Sequence, residues 1–359
     1  MAESPTGKRA KKSVRSLEER LNAGESVIVA EGYLLSLSRR GYVSHGSFIP
    51  DVVLEHPEMV RLLHYEFAHC GSDVMEAFQY YTLRSHLRKI GREDDLEKCN
   101  RLALKMAKEV ADEKGLLFAG GLCNSSIYVP GDEKSHKEVR AIFEEQVKWC
   151  VEEGVDYMIG ETFRYFGEAM IALDVIKAHG KPAVITFCFH RKDDNGQFTL
   201  LDEVNIGDAC KQIADAGALV VGLNCARGPG MMIEVIEEIR KKCPNVHLAA
   251  LPVAYRTTEE EPTFYNITDK GLNQPAYPDG LDPLLVSISE IKDFTKKAYD
   301  LGVRYFGICC GNSGHYTRTM AETLGRSPPA SKYATDVTSS SSVGQEMKGR
   351  TKMQDGRIL

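Results

Sequence analysis

Cys309 and Cys310 are adjacent thiols at the end of a short apolar run, Tyr305-Phe306-Gly307-Ile308, and Gly311 follows them. Neighbouring thiols at the mouth of a strand can share one soft metal ion. A third thiol, Cys225, closes a similar run, Val220-Val221-Gly222-Leu223-Asn224. Three thiolates converging on one point suggest zinc with one coordination position left open, which is a catalytic rather than a structural arrangement. The plainer alternative is three packed thiols, since buried cysteine behaves as a small hydrophobe. A Cys309–Cys310 disulfide is a further alternative that ring strain and a reducing compartment disfavour.

Residues of this kind need strands that end together. The chain repeats one unit: an apolar run of five to seven residues, a polar, Cys or Gly end, then a charged segment with apolar spacings of three and four. Strands are expected at 26–31, 73–80, 116–121, 156–161, 182–188, 218–224, 247–253 and 304–309. Helices are expected at 57–70, 97–113, 135–153, 165–178, 206–216, 230–242, 287–301 and 315–324. Several helical segments stop at a glycine, as in Lys114-Gly115 and Glu153-Gly154, where a left-handed cap is needed. Near-continuous apolar strands imply burial on both faces. Eight strand–helix units predict an α/β fold, a (β/α)8 TIM barrel with the zinc site at the C-terminal face of its strands. A doubly wound open sheet is the alternative, but no Gly-x-Gly-x-x-Gly follows the first strand.

In a barrel the strand ends share one face. They carry Glu31, Gln79 to Tyr81, Cys123-Asn124, Glu161, Thr186 to Cys188, Asn224-Cys225, Tyr255 and Cys309-Cys310. No strand-end lysine is placed for a Schiff base, which disfavours an aldolase-type barrel. His190 and His315 lie near the same face without an evident role.

The domain plan is a basic tail at 1–14, a barrel at 15–333 and a Ser-rich tail at 334–359 with little to bury. A long loop at 256–286 is rich in Thr, Glu, Pro, Asn and Asp. The chain has 359 residues and a net charge of −6, and it lacks a long basic stripe, which argues against a nucleic-acid partner. No apolar stretch reaches the ~20 residues that span a bilayer, so no membrane partner is expected. Ten cysteines scattered along the chain point to a reducing, cytoplasmic setting.

At these residues the sequence resembles the zinc-dependent homocysteine S-methyltransferases, the betaine-using members above all. The family's Gly-Cys-Cys-Gly type element and upstream Asn-Cys read here as Gly307-Ile308-Cys309-Cys310-Gly311 and Gly222-Leu223-Asn224-Cys225. Matching stretches run through most of 15–332, among them Arg40-Gly41-Tyr42-Val43, Glu55-His56-Pro57-Glu58 and Leu301-Gly302-Val303-Arg304-Tyr305.

The resemblance implies one zinc per chain, held by Cys225, Cys309 and Cys310. It implies that Tyr81 takes the fourth zinc position when homocysteine is absent. Glu161 and Glu31, with the adjacent Gly32, are implied at the L-homocysteine amino group. Glu31 stands where betaine enzymes carry Asp. The implied reaction moves a methyl group from a small onium donor, glycine betaine foremost, to the homocysteine thiol, giving L-methionine and dimethylglycine. A quaternary ammonium needs aromatic faces. The early loop has Phe48 in place of the family's Trp, and Thr162 replaces the Tyr that directly follows the matching Glu161, while Tyr81 and Phe163 remain and Tyr33 is gained. Phe48 and Phe163 are therefore candidate donor contacts, with simple packing as the alternative. These departures keep sulfonium donors open, namely dimethylsulfoniopropionate, dimethylthetin or S-methylmethionine, and also a non-catalytic zinc or redox-sensing relative. Betaine-type members use a longer C-terminal segment for subunit contacts, so a homo-oligomer stays open.

Overall fold

The computed structural model describes residues 14–44, 51–188 and 191–334. Phe48 and His190 lie outside the described residues, as do almost all of the basic N-terminal and Ser-rich C-terminal segments.

Eight parallel strands close into a barrel: β1 Val27–Ala30, β2 Val74–Glu76, β3 Leu117–Cys123, β4 Tyr157–Phe163, β5 Ala183–Phe187, β6 Val220–Asn224, β7 His247–Leu251 and β8 Val303–Ile308. Each strand pairs with the next in sequence, and β8 closes onto β1 with Val27 opposite Tyr305 and Ala30 opposite Ile308. Eight helices cover the outside: α1 Pro57–Cys70, α2 Leu96–Lys114, α3 Glu133–Glu153, α4 Phe166–Ala178, α5 Ile206–Asp215, α6 Pro229–Lys242, α7 Ile288–Asp300 and α8 Gly314–Thr323. The barrel and its eight strand–helix units are those expected from the apolar periodicity.

Alternation along the strands sorts the core into two layers. Val27, Val29, Val74, Leu117, Ala119, Tyr157, Ile159, Val184, Val220, Ala249, Leu251 and Tyr305 fill the barrel interior. Tyr157 and Tyr305 share a hydrogen bond of 3.0 Å between their hydroxyls there. Their neighbours Ile28, Met75, Phe118, Met158, Ile185, Val221, Leu248, Ala250 and Phe306 point outward into the helix layer. A short helix, Leu17–Asn22, joins the interior cluster through Leu17 and Leu21. Ser16 and Glu19 form a capping box at its start.

The strands differ from expectation at one functional point. The run 73–80 was expected to extend to Tyr80, but β2 ends at Glu76. The chain then leaves the barrel, and Gln79 bonds into a buried amide network with Asn100 instead of a strand ladder. No helix among the described residues is long and apolar enough to cross a membrane.

Candidate active site at the strand ends

Continuing the interior positions to the C-terminal end of each strand gives the site. Val29 leads to Glu31, Val74 to Glu76, Ile159 to Glu161, Gly222 to Asn224 and Gly307 to Cys309. All five end residues are buried. All but Asn224 line a cavity of about 230 Å³ whose walls include Glu31, Gly32, Glu76, Tyr81, Glu161, Arg164, Cys225, Cys309 and Cys310.

The three thiols come together as the sequence suggested. The Sγ atoms of Cys225, Cys309 and Cys310 all lie within 4.8 Å of one another, and Cys225 and Cys310 are 3.7 Å apart. Tetrahedral zinc at Zn–S distances of about 2.3 Å separates its sulfurs by about 3.8 Å, so the residues present fit that ion. Cys225 and Cys309 directly follow β6 and β8, strands separated only by β7, and Cys225 N donates to Leu251 O at 2.9 Å. Cys225 itself has φ +62°, a left-handed conformation uncommon outside glycine, and Ala226 follows at +56°. That turn breaks the pleat at the strand end. Hydrogen bonds from Cys309 and Cys310 hold the Cys225 thiol well below the usual range, while both donors are pushed well above it.

Glu31 and Glu161 face this group. One oxygen of each and the Cys309 sulfur lie within 4.8 Å of one another. Both Glu31 oxygens are buried without a hydrogen-bond partner. Burial, then the charges of Glu161 and Glu76, push the Glu31 carboxyl well above the usual range. Burial and the Cys225 charge push Glu161 up to about 8. Asn224 braces the region. Its Oδ1 accepts from Thr162 N at 2.8 Å and Thr186 Oγ1 at 2.9 Å. Its Nδ2 donates to Glu161 Oε2 at 3.0 Å and faces Cys309 Sγ at 4.0 Å. One amide thus fixes a carboxylate and a candidate metal ligand, the role of an outer-shell residue.

Gly32 lies where β1 meets β8. With φ +85°, it would place a Cβ 2.4 Å from the Cys309 carbonyl oxygen, so no side chain fits. Asn312 Nδ2 donates to Glu31 O at 3.1 Å and ties the same junction.

Tyr81 lines the cavity at φ +59°, with its N–H on Cys123 Sγ at 3.2 Å and its ring stacked on His86 at 4.3 Å. Burial raises the Tyr81 hydroxyl, with Tyr80 and Asn124 working against it, and the tyrosine that helps lower the Cys225 thiol is Tyr265. Tyr33 also lines the cavity, with its hydroxyl on His64 Nδ1 at 2.9 Å.

Phe163 is not brought to the cavity. Thr162, at φ +60°, reverses the alternation, and the β4–β5 register shifts there. The Phe163 ring consequently turns outward over Gly160 and packs edge-on to Phe143 on α3. His315 bonds Ser313 outside the cavity wall. Sequence reasoning missed Glu76, Arg164, Phe264, Tyr265 and Tyr277, all on the wall. Glu76 was legible from strand alternation once the end of β2 was known. The three aromatics come from the 256–286 loop, whose polar composition hid them.

Comparison with known proteins gives the same direction. The family model for homocysteine S-methyltransferase matches residues 30–324. Betaine–homocysteine S-methyltransferase 1 of Mus musculus is 35% identical over 338 residues, covering 91% of this chain and 79% of the relative. S-methylmethionine–homocysteine S-methyltransferase of the same organism is 33% identical over 337 residues, covering 90% of this chain and 85% of the relative. The metallated homocysteine methyltransferase MmuM of Escherichia coli shares the fold, with a TM-score of 0.64 at 16% identity over 84% of this chain and 96% of that one. With its barrel closed, its strand-end cysteines gathered and nearly its whole described length matched, the chain belongs to the homocysteine S-methyltransferase family and is a methyltransferase.

Proposed function

We propose that this enzyme transfers a methyl group from an onium donor, most plainly glycine betaine, to L-homocysteine in a zinc-dependent reaction that yields L-methionine and dimethylglycine. The observation that carries this reading is the convergence of Cys225, Cys309 and Cys310 beside two buried glutamates. Zinc bound by these thiolates would supply the Lewis acidity that strips the proton from the homocysteine thiol near neutral pH, against an ordinary thiol pKa of about 8.5.

The chain's own residues do the positioning. Glu31 and Glu161 receive the homocysteine ammonium, whose charge offsets the burial and the neighbouring negative charges that keep their carboxyls high in the free enzyme. Asn224 holds Glu161 in place for that contact. The faces of Tyr81, Phe264, Tyr265 and Tyr277 line the same cavity and suit a methylated cation. The sulfur–methyl bond forms as the donor nitrogen–methyl bond breaks. The bonding pair stays on nitrogen, which leaves neutral, so no general acid is required. Alignment of the two substrates is then the main source of rate.

A sulfonium donor is the second reading. The nearly equal similarity to a betaine-using and an S-methylmethionine-using relative favours keeping it. No disulfide joins any of the ten cysteines, which suits the reducing cytoplasm that we assign to the enzyme.

The test is methionine formation by purified zinc-loaded enzyme from homocysteine and glycine betaine, dimethylthetin or S-methylmethionine in parallel. About one zinc per chain is expected. Cys225→Ala and Cys309→Ala should each lose bound zinc and lower activity by more than about 1,000-fold. Full activity in either variant refutes the zinc assignment.

A further inference from the structure

Arg164 follows Phe163 at the end of β4 and contributes to the cavity wall. It is half-buried, and its Nε is buried without a hydrogen-bond partner. Among the described residues no carboxylate lies within ion-pair distance of it, although other arginines such as Arg84, Arg92 and Arg101 each hold glutamates. The three cavity glutamates, Glu31, Glu76 and Glu161, do not reach it either. Its electrostatic neighbours include Cys188, Tyr81, Tyr265 and Tyr80 on the aromatic side of the cavity, and its charge also reaches Glu168, whose carboxylate is hydrogen-bonded to Ser125 instead. A guanidinium outside any ion pair keeps its planar fork of donors available, and that fork matches a carboxylate.

The cavity is therefore divided by charge. Glutamates and thiols occupy the floor at the strand ends, aromatic rings form the wall, and an unpaired guanidinium stands among those rings. Homocysteine carries its carboxylate one carbon from the ammonium that the glutamates hold, so its own carboxylate stays near the floor. In glycine betaine the methylated cation is itself the reacting centre, so its carboxylate, one methylene away, lies on the side turned from the homocysteine sulfur.

Resting on the proposed methyl-transfer function, we propose that Arg164 anchors the donor's carboxylate and makes the enzyme selective for onium acids that carry no second cationic group. Glycine betaine and short dimethylsulfonio acids satisfy both conditions. S-methylmethionine brings an ammonium beside its carboxylate, which the guanidinium repels. The aromatic wall alone accepts any methylated cation, so the carboxylate contact supplies the discrimination.

The experiment compares wild type, Arg164→Gln and Arg164→Lys, all zinc-loaded. Dimethylthetin serves as a donor with a carboxylate and trimethylsulfonium as one without. Arg164→Gln should raise the KM for dimethylthetin by about 10- to 100-fold and leave the KM for trimethylsulfonium within about threefold. Arg164→Lys, which keeps the charge but loses the fork, should recover part of the loss. Equal effects on both donors overturn the proposal. So does an unchanged KM, or a rise confined to the KM for homocysteine, which would assign Arg164 to the acceptor's carboxylate. Thermal midpoints should match wild type, because no protein partner of the guanidinium is lost.

A binding readout separates this inference from the proposed reaction. With methionine filling the acceptor end, calorimetry should show glycine betaine binding more tightly than choline, and Arg164→Gln should abolish that preference. If wild type forms no methionine from any donor yet shows the Arg164-dependent preference, the reaction falls and the anchor stands. If wild type turns over betaine while Arg164→Gln changes neither KM nor binding, only the anchor falls. If wild type neither binds nor uses a carboxylate-bearing onium compound, both fall.

Discussion

Gly32 shows how closely the site is tied to single backbone positions. It links Glu31 to the rest of the chain, and its missing Cβ leaves room for the Cys309 carbonyl. Gly32→Ala must either move that carbonyl or leave the left-handed conformation, at a cost of about 1–3 kcal/mol. We expect the variant to fold with a lowered urea midpoint and to hold zinc less than stoichiometrically, because Cys309 is displaced. Wild-type zinc content at reduced stability would place the role of Gly32 in the backbone alone. Four non-glycine residues on this face, Tyr81, Thr162, Cys225 and Ala226, share positive φ values. Such conformations persist where surrounding contacts over-determine them, and the Asn224 bonds to Thr162 and Glu161 are contacts of that kind.

At the scale of the element, β4 illustrates why alternation reads a strand well and its end poorly. Tyr157 and Ile159 point inward and Met158 outward, and Glu161 follows the inward rule. Thr162 then reverses the chain's sense, and the next aromatic turns away from the cavity. Phe163→Leu is expected to destabilise the fold by about 1–3 kcal/mol through loss of contact with Phe143 and Gly160. Its KM for the methyl donor should stay within about twofold of wild type. Urea unfolding and steady-state kinetics check the two halves, and a large KM change would return Phe163 to the donor site. The 256–286 segment makes the converse point. No periodicity marks it, yet it brings Phe264, Tyr265 and Tyr277 to the cavity, with Tyr265 and Tyr277 5.4 Å apart in an edge-on contact.

The whole molecule carries a pH response that is separate from the site chemistry. His64 on α1 is fully buried, hydrogen-bonded only to Tyr33, and faces the charge of Arg61 one turn away. Burial lowers it from 6.5 to about 3, with Arg61 adding to the effect. The unfolded chain binds this proton below about 6.5, whereas the folded chain does not until about 3. The resulting destabilisation is absent above pH 6.5, grows as pH falls, and is complete below about 3. It amounts to about 2 kcal/mol at pH 5. His86, lowered to about 4 mainly by burial, acts in the same direction. The raised glutamates Glu31, Glu76 and Glu161 act in the opposite one. Stability is therefore best read as a difference between proteins. Between pH 7 and pH 5, His64→Gln should lose about 2 kcal/mol less than wild type in urea unfolding. Parallel losses would show that His64 is protonated in the folded protein.

The sequence by itself determined the barrel, because eight apolar runs separated by amphipathic helices have few other ways to bury both strand faces. It also determined the cysteine trio, since residues that end parallel strands in a closed barrel must share one face. Tertiary structure alone decided where β2 stops, and so which acid, Glu76, joins the cavity. It turned Phe163 outward through one left-handed residue, and it folded an unpatterned loop over the strand ends to supply the aromatic wall. Those outcomes depend on local backbone reversals and long-range packing, which leave no periodic trace. The unpaired state of Arg164 is of the same kind. The sequence contains the arginine and many carboxylates, but only the folded chain determines that none of the described ones forms an ion pair with it.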